Sequence, residues 1–312
     1  MFKYKNCSDI TQGAFGSIIQ ATQCTPDDRP IRLVAIKKLI EKQQNERNPI
    51  SQSPLEEIQI LQQLSHPNII KCLDSFQEGN YTYYVMPLCP FCLSDLIYSQ
   101  QILPIRAVQS IMHQLMSGLA YLHSKQIMHR DMKPRNILIN QFGVLQIIDF
   151  GQSYQTLNGA GTRNYRAPEL LLNVSFSPKA DVFACGCILF ELITRRSLFC
   201  AVNDIELIVQ QNQLLGPLEN SPNLKNSVDF QKIVLENGFK QAEKLKVLLE
   251  QFIFDEEIEE LLLKMLEVNE EKRYSAAECL EHQFVREGGN YGKVCLEELI
   301  QVQDQGDDAG WS

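Results

Sequence analysis

The sequence predicts an α+β fold in two lobes, a small β-rich one followed by a larger, mostly helical one. Three observations predict it. The chain has 312 residues, 44% hydrophobic and 21% charged, enough for one large domain or two packed lobes. The first ninety residues alternate strand-like segments with turns. After Pro90 the apolar residues take up helical spacing.

In chain order, "RLVAIKKLI" and "YTYYVMPL" are rich in β-branched and aromatic residues and are bounded by polar or proline-containing turns, which suits strands. Between them the spacing of Leu55, Ile58, Leu61 and Leu64 predicts a helix over about 53–64. In the second lobe Ile105, Val108, Ile111, Met112, Leu115, Leu119 and Leu122 mark a long amphipathic helix, and further helices are expected near 180–194, 256–266 and 275–282. Residues 201–254 read as a polar insertion with weak helical patterning. Residues 285–312, ending in "VQDQGDDAGWS", read as an acidic tail expected to be disordered.

The formal charge of −9 argues against a partner such as nucleic acid, whose phosphate backbone calls for clustered positive charge. The longest apolar run, Val182 to Phe190, is too short to span a membrane, and the N-terminus lacks a signal-peptide core. A soluble, intracellular protein of cytoplasm or nucleus is expected. Cys89 and Cys92 have CxxC spacing, but no second pair or histidine stands at a suitable distance, so reduced thiols are expected.

Four elements follow one another in an order that suits phosphoryl transfer. The stretch from Ile10 through Thr11, Gln12, Gly13, Ala14, Phe15, Gly16 and Ser17 to Ile18 joins two strand candidates, and its small residues let backbone N–H groups approach phosphate oxygens. Alone it reads better as a plain β-hairpin turn, because Thr11 stands where a GxGxxG loop begins. Lys37 lies in the next strand, where Glu57 of the following helix can pair with it and hold its ammonium toward α- and β-phosphates. In "HRDMKPRN", Asp131 can accept a hydroxyl proton, Lys133 can neutralise the transferred group, and Asn136 can bind a metal ion. In "DFG", Asp149 supplies a second hard oxygen ligand of the kind Mg²⁺ prefers.

With these motifs together the chain resembles a eukaryotic protein kinase over residues 4–284, through "APE" at 167–169, "DVFACGC" at 181–187 and "EKRYSA" at 271–276. The resemblance implies a bilobal kinase fold with an N-lobe of about 1–88 and a C-lobe of about 89–284. ATP and Mg²⁺ are the implied cofactors, with adenine against a hinge that includes Pro87 and Cys89. It further implies a Glu169–Arg273 salt bridge, an Asp181 brace on the catalytic-loop backbone, and a Thr162 hydroxyl bonded to that loop. Lys133 is the residue that serine/threonine kinases carry at its position. "NYRAPE" and the insertion at 201–254 resemble the cyclin-dependent kinase branch.

The segment from Asp149 to Glu169 departs from that branch. Leu157 stands where the phosphorylated threonine is expected, with Thr156 beside it. Of three phosphate-gripping arginines only Arg130 is kept, the others being Glu56 and Tyr154. A phosphate there would meet one guanidinium and one carboxylate. The sequence therefore predicts a kinase active without activation-loop phosphorylation. A cyclin partner is disfavoured, because Glu56 alters the helix that cyclins grip. The short segment is similar to that of single-subunit CDK-activating kinases and also of cell-cycle-related kinases, so a protein substrate that is itself a CDK is the expectation. Gly161 replaces a valine that shapes the pocket for proline-directed substrates, which puts that specificity in doubt. The alternative from another class is a pseudokinase scaffold. Against it stands the full set of Lys37, Glu57, Asp131, Lys133, Asn136 and Asp149. A small-molecule kinase would lack the "APE" platform and Thr162.

Overall fold

The structure, a computed structural model, describes residues 2–13, 16–40, 54–99, 102–153, 162–174, 177–225, 227, 229–231, 245–252 and 255–291. Its first lobe is a five-stranded antiparallel sheet of β1 (Lys3–Gly13), β2 (Gly16–Cys24), β3 (Pro30–Ile40), β4 (Asp74–Glu78) and β5 (Tyr81–Pro87), in the order β1-β2-β3-β5-β4. One helix, α1 (Pro54–Gln63), packs on it.

The period of two along β3 decides where Lys37 goes. Val34 and Ile36 face one side, in a small core with Ala21 and Val85. That side is covered by stacked rings, Tyr4 on Phe76 at 5.7 Å and Phe76 on Tyr83 at 5.1 Å. Ala35 and Leu39 face the other side, in the main core shared with α1. Lys37 is on this second side, opposite Ile18 of β2 and Tyr84 of β5.

Helix α1 begins with Glu56 and Glu57 in its first turn, where negative charge suits the helix dipole. Its buried face is Glu57, Ile58, Ile60, Leu61 and Leu64. Leu55 does not belong to it and is 45% exposed. At 3.6 residues per turn it points about 120° away from Leu61, so the expected apolar stripe is corrected at that position.

The second lobe starts with β6 (Phe91–Cys92), α2 (Leu93–Tyr98) and α3 (Ile105–Ser124). It continues with β7 (Ile137–Ile139) and β8 (Leu145–Ile147), which complete a three-stranded antiparallel sheet with β6. Helix α4 (Pro168–Leu171) precedes α5 (Lys179–Thr194), which is apolar all round and buried from Ala180 to Leu192, as expected of a helix through the centre of a core. The insertion contributes α6 (Asp204–Leu215), α7 (Pro222–Lys225) and α8 (Leu245–Glu250), with Asn203 capping α6 by accepting from the Glu206 amide at 2.8 Å. Helix α9 (Glu256–Met265) and α10 (Ala276–Glu281) lead to α11 (Gln283–Tyr291). The main core is continuous from β3 to Val285.

Helix α11 carries helical packing past residue 284 to Tyr291. Its Val285 carbonyl lies 3.1 Å from His113 Nδ1, and its Glu287 accepts from Gln109 of α3 at 2.9 Å. Backbones touch at Gly288, where an added Cβ would lie 2.0 Å from the Gln109 carbonyl oxygen. The acidic composition beyond 284 hid this, because glycine's contribution here is the absence of a side chain. Residues 292–312 lie outside the described residues. Gly288→Ala is expected to lower the unfolding free energy by about 1–3 kcal/mol through overpacking against an unyielding backbone. An unchanged urea midpoint would contradict that contact.

Nine cysteines are free among the described residues. No cluster of three or more metal-ligating side chains is found among them, and no helix there is long and apolar enough to cross a membrane.

Candidate active site

The cleft between the lobes contains a cavity of about 380 Å³. Ile18 and Ala35 line it from the sheet, Leu138 and Ile148 from the second lobe, and Pro87 and Cys89 from the connection between lobes. Of the residues expected to meet a nucleotide, Ile10, Ile18, Pro87 and Cys89 all line this cavity. The hairpin above it closes with Gly13 opposite Gly16, Thr11 opposite Ile18 and Gln12 opposite Ser17. Ala14 and Phe15 lie outside the described residues. The Cys89 thiol donates to Gln146 Oε1 at 3.1 Å, and burial pushes it up to about 12. Cys89 therefore acts as a packing group in the wall of the cavity.

Lys37 Nζ lies 2.8 Å from Glu57 Oε1 and 3.0 Å from Asp149 Oδ1. Burial on its own would push Lys37 down, but Tyr84, Glu57 and Asp149 more than reverse it and hold the ammonium well above its ordinary value. Asp149 shows the mirror image. Burial would raise it, yet Lys37 outweighs burial and keeps the carboxyl below the usual range. Three chain-distant residues thus form one charged line from α1 across the sheet to the loop after β8, buried at Glu57 and Lys37 and half-buried at Asp149.

Asp131 gathers the second group. Its Oδ2 accepts from Lys133 Nζ at 2.7 Å and from Asn136 Nδ2 at 3.0 Å, and its Oδ1 accepts from the Thr162 amide at 2.6 Å and the Thr162 hydroxyl at 3.1 Å. Lys133 also donates to Thr162 Oγ1 at 2.7 Å. Asn136 Nδ2 donates as well to the Asp131 carbonyl at 2.8 Å. That fixes the amide plane, with Nδ2 as the end turned to Asp131.

The loop carrying Asp131 is held from below by Asp181 of α5, which is 1% exposed. It accepts from the amides of His129 at 2.8 Å and Arg130 at 2.7 Å, and His123 Nε2 lies 3.0 Å away. Burial raises the Asp181 carboxyl, and His123 and His129 pull it further down, below the usual range. His129 Nε2 donates to the Ile148 carbonyl at 2.8 Å while Nδ1 accepts from the Asp131 amide at 3.3 Å, so both ring nitrogens serve the backbone. Arg130 and Asp149 both have left-handed backbones, φ 67° and 68°, unusual for residues with a Cβ and typical of strain kept at a working site.

Glu169 and Arg273 meet as a bidentate pair, with Nη2 to Oε2 at 2.9 Å. Beyond Thr162, Arg163 Nε donates to Asp204 at 2.8 Å and Arg166 lies 3.8 Å from the same carboxylate. Residues 154–161, which include Tyr154, Thr156, Leu157 and Gly161, lie outside the described residues.

The structure brings Lys37, Glu57 and Asp149 together in one group and Asp131, Lys133, Asn136 and Thr162 in another. Two partners were missed. Tyr84 reads in sequence as one of three strand tyrosines, and only its register opposite Lys37 distinguishes it. His123 looks like the end of an amphipathic helix, and its link to Asp181 depends on how α3 crosses α5.

Comparison with known proteins agrees with this geometry. The chain is 33% identical over 306 residues to cyclin-dependent kinase 12 of Caenorhabditis elegans, covering 91% of this chain and 40% of that protein. It is 32% identical to mitogen-activated protein kinase 14 of Xenopus laevis (90% and 79% covered) and 32% identical to cyclin-dependent kinase-like 2 of Oryctolagus cuniculus (97% and 54% covered). The chain therefore spans about half or less of two of these relatives. The family model of the protein kinase domain matches residues 4–285, and with that match this chain, with its Lys37–Glu57 pair and its Asp131 and Asp149 loops, belongs to the protein kinases.

Proposed function

We propose that the chain is an ATP-dependent serine/threonine protein kinase of the cyclin-dependent-kinase-like branch, and that it works without a phosphate on its activation segment. The observation that carries the reading is the Asp131 carboxylate, aimed by donors from Lys133, Asn136 and Thr162. Such a group suits accepting a proton from an incoming hydroxyl. Lys133, 2.7 Å away, supplies positive charge beside the same spot.

Asn136 Oδ1 and the Asp149 carboxylate are the residues that would hold a divalent ion. Two hard oxygens fit magnesium, which keeps several waters and shares its ligands with phosphates. Bound there, the ion supplies neutralisation of phosphate charge. Lys37, held charged by Glu57 and Asp149, suits the α- and β-phosphates, and the apolar cavity beside Pro87 and Cys89 suits adenine. Thr162 joins the acceptor platform to the base.

Independence from segment phosphorylation is supported by the charges available to a phosphate. Glu56 stands in the first turn of α1 where an arginine would be needed, so a phosphate would have Arg130 and lack that second guanidinium. The segment's closing end is already fastened through Thr162, Arg163 and Arg166. The short segment further supports a protein acceptor that is itself a CDK activation loop, with no cyclin required.

The test is transfer from radiolabelled Mg-ATP by phosphatase-treated chain to an unphosphorylated CDK–cyclin pair and to a generic serine/threonine substrate. Labelling of the CDK activation threonine is expected. Activity appearing only after Thr156 is phosphorylated would overturn the phosphate-free reading. Binding of Mg-ATP with no transfer to any acceptor would overturn the kinase reading in favour of a scaffold.

A further inference from the structure

The charged line at Lys37 has a fourth member that phosphoryl transfer does not require. Tyr84 of β5 is 1% exposed, and its hydroxyl donates to Glu57 Oε1 at 3.1 Å, the same oxygen that meets Lys37 at 2.8 Å. Its ring faces Lys37, with Nζ 5.7 Å from the centroid. Tyr84 is paired on both sides, with Lys37 of β3 and Ser75 of β4, so its backbone sits inside the sheet. A phenol has only two side-chain torsions, and burial removes most of their freedom.

We propose that Tyr84 is a positioning residue, a latch from the sheet that fastens Glu57, and with it α1, in the geometry that engages Lys37. The inference rests on the kinase reading of the site and deepens it by naming what keeps the pair closed. In that chemistry the lysine–glutamate pair must be in place, and moving the helix that carries the glutamate is a means of control. Lys37 alone is a poor fastener, since Asp149 draws on the same ammonium from the opposite side at 3.0 Å. A second donor on Oε1, belonging to the rigid sheet, fixes the carboxylate whichever way the lysine leans. It also explains how α1 holds its place despite Glu56: the fastening is internal and needs neither a phosphate nor a partner. Burial and the neighbouring Glu57 hold the Tyr84 hydroxyl well above its ordinary value, so it stays a donor at any working pH.

The decisive experiment compares wild type, Tyr84→Phe, Glu57→Gln and the double variant in the full chain. Hydrogen exchange of the α1 amides and steady-state transfer from Mg-ATP are the two readouts. Tyr84→Phe keeps the ring and removes one hydrogen bond to a charged group. About tenfold faster exchange confined to α1 is expected, with a fall of about tenfold in kcat/KM for ATP. In the Glu57→Gln background the added effect of Tyr84→Phe on kcat/KM should shrink to about twofold, because the coupling runs through that carboxylate. Unchanged α1 exchange, or an undiminished effect in the Glu57→Gln background, would overturn the latch. If Tyr84→Phe does not fold, Tyr84→Met fills the slot without a hydroxyl and is read the same way. Should the wild type transfer no phosphate, the kinase reading fails, while the exchange measurement still decides the latch.

Discussion

Asp131→Asn is expected to lower kcat by about 10² to 10⁴-fold, with the affinity for Mg-ATP changed little. The change preserves shape and alters chemistry. Both carboxylate oxygens of Asp131 accept, Oδ2 from Lys133 and Asn136, Oδ1 from the amide and hydroxyl of Thr162. An amide has one acceptor oxygen and one donor nitrogen, so on one side donor would face donor. If the nitrogen turns toward Thr162, the acceptor platform loses its amide bond. If it turns toward Lys133, that ammonium loses its charged partner and Asn136 keeps only its bond to the backbone carbonyl. Either way the proton acceptor is gone, and one element that it aligned goes with it. At about 1.36 kcal/mol per factor of ten, the loss corresponds to about 3–5 kcal/mol of transition-state stabilisation. Single-turnover transfer measured beside calorimetric nucleotide binding checks it. A rate within a factor of about two of wild type, with binding intact, would remove Asp131 from the base role.

Much of this site could be read in the sequence because its residues are tied to local features. Asp131, Lys133 and Asn136 lie within six residues of one another, and Asp149 sits in a three-residue motif after a strand. Lys37 is placed by strand alternation, and its partner Glu57 by being on the helix that follows. The pairs that join distant segments, Glu169 with Arg273 and Asp181 with the catalytic loop, came from the resemblance, since no local pattern predicts them. What stayed hidden depends on relative position in space. Leu55 continues an apolar spacing, yet the side of α1 that meets the sheet is fixed by Glu57 reaching Lys37, and this turns Leu55 outward. Tyr84 has strand-like neighbours on either side, and its role follows from register alone. The packing of α11 on α3 relies on a glycine's missing Cβ, in a stretch whose composition suggests a solvated tail.

Arg273→Ala is expected to destabilise the protein by about 3–5 kcal/mol, the range for leaving one member of a buried ion pair without its partner. Arg273 is 0% exposed and Glu169 1%. Besides the bidentate contact, Arg273 donates to the Glu267 carbonyl at 2.8 Å and the Lys179 carbonyl at 3.2 Å, and its guanidinium stacks 5.0 Å over the Phe183 ring. Truncation therefore strands a carboxylate and removes the donor to the Glu267 carbonyl, beside a cavity the size of the lost side chain. Adding Glu169→Gln should recover only part of the loss, because it removes the stranded charge and leaves the Glu267 carbonyl and the cavity. Guanidinium unfolding of the two variants separates these contributions. Equal stability of single and double variants would mean that the buried charge is not what the arginine neutralises. The damage should also reach the chemistry. Glu169 begins the short helix that ends the activation segment, and that segment carries Thr162 onto Asp131. In the fraction that still folds, loosening Glu169 should lower kcat more than it raises the KM for ATP, since neither Glu169 nor Arg273 lines the cavity beside Pro87 and Cys89.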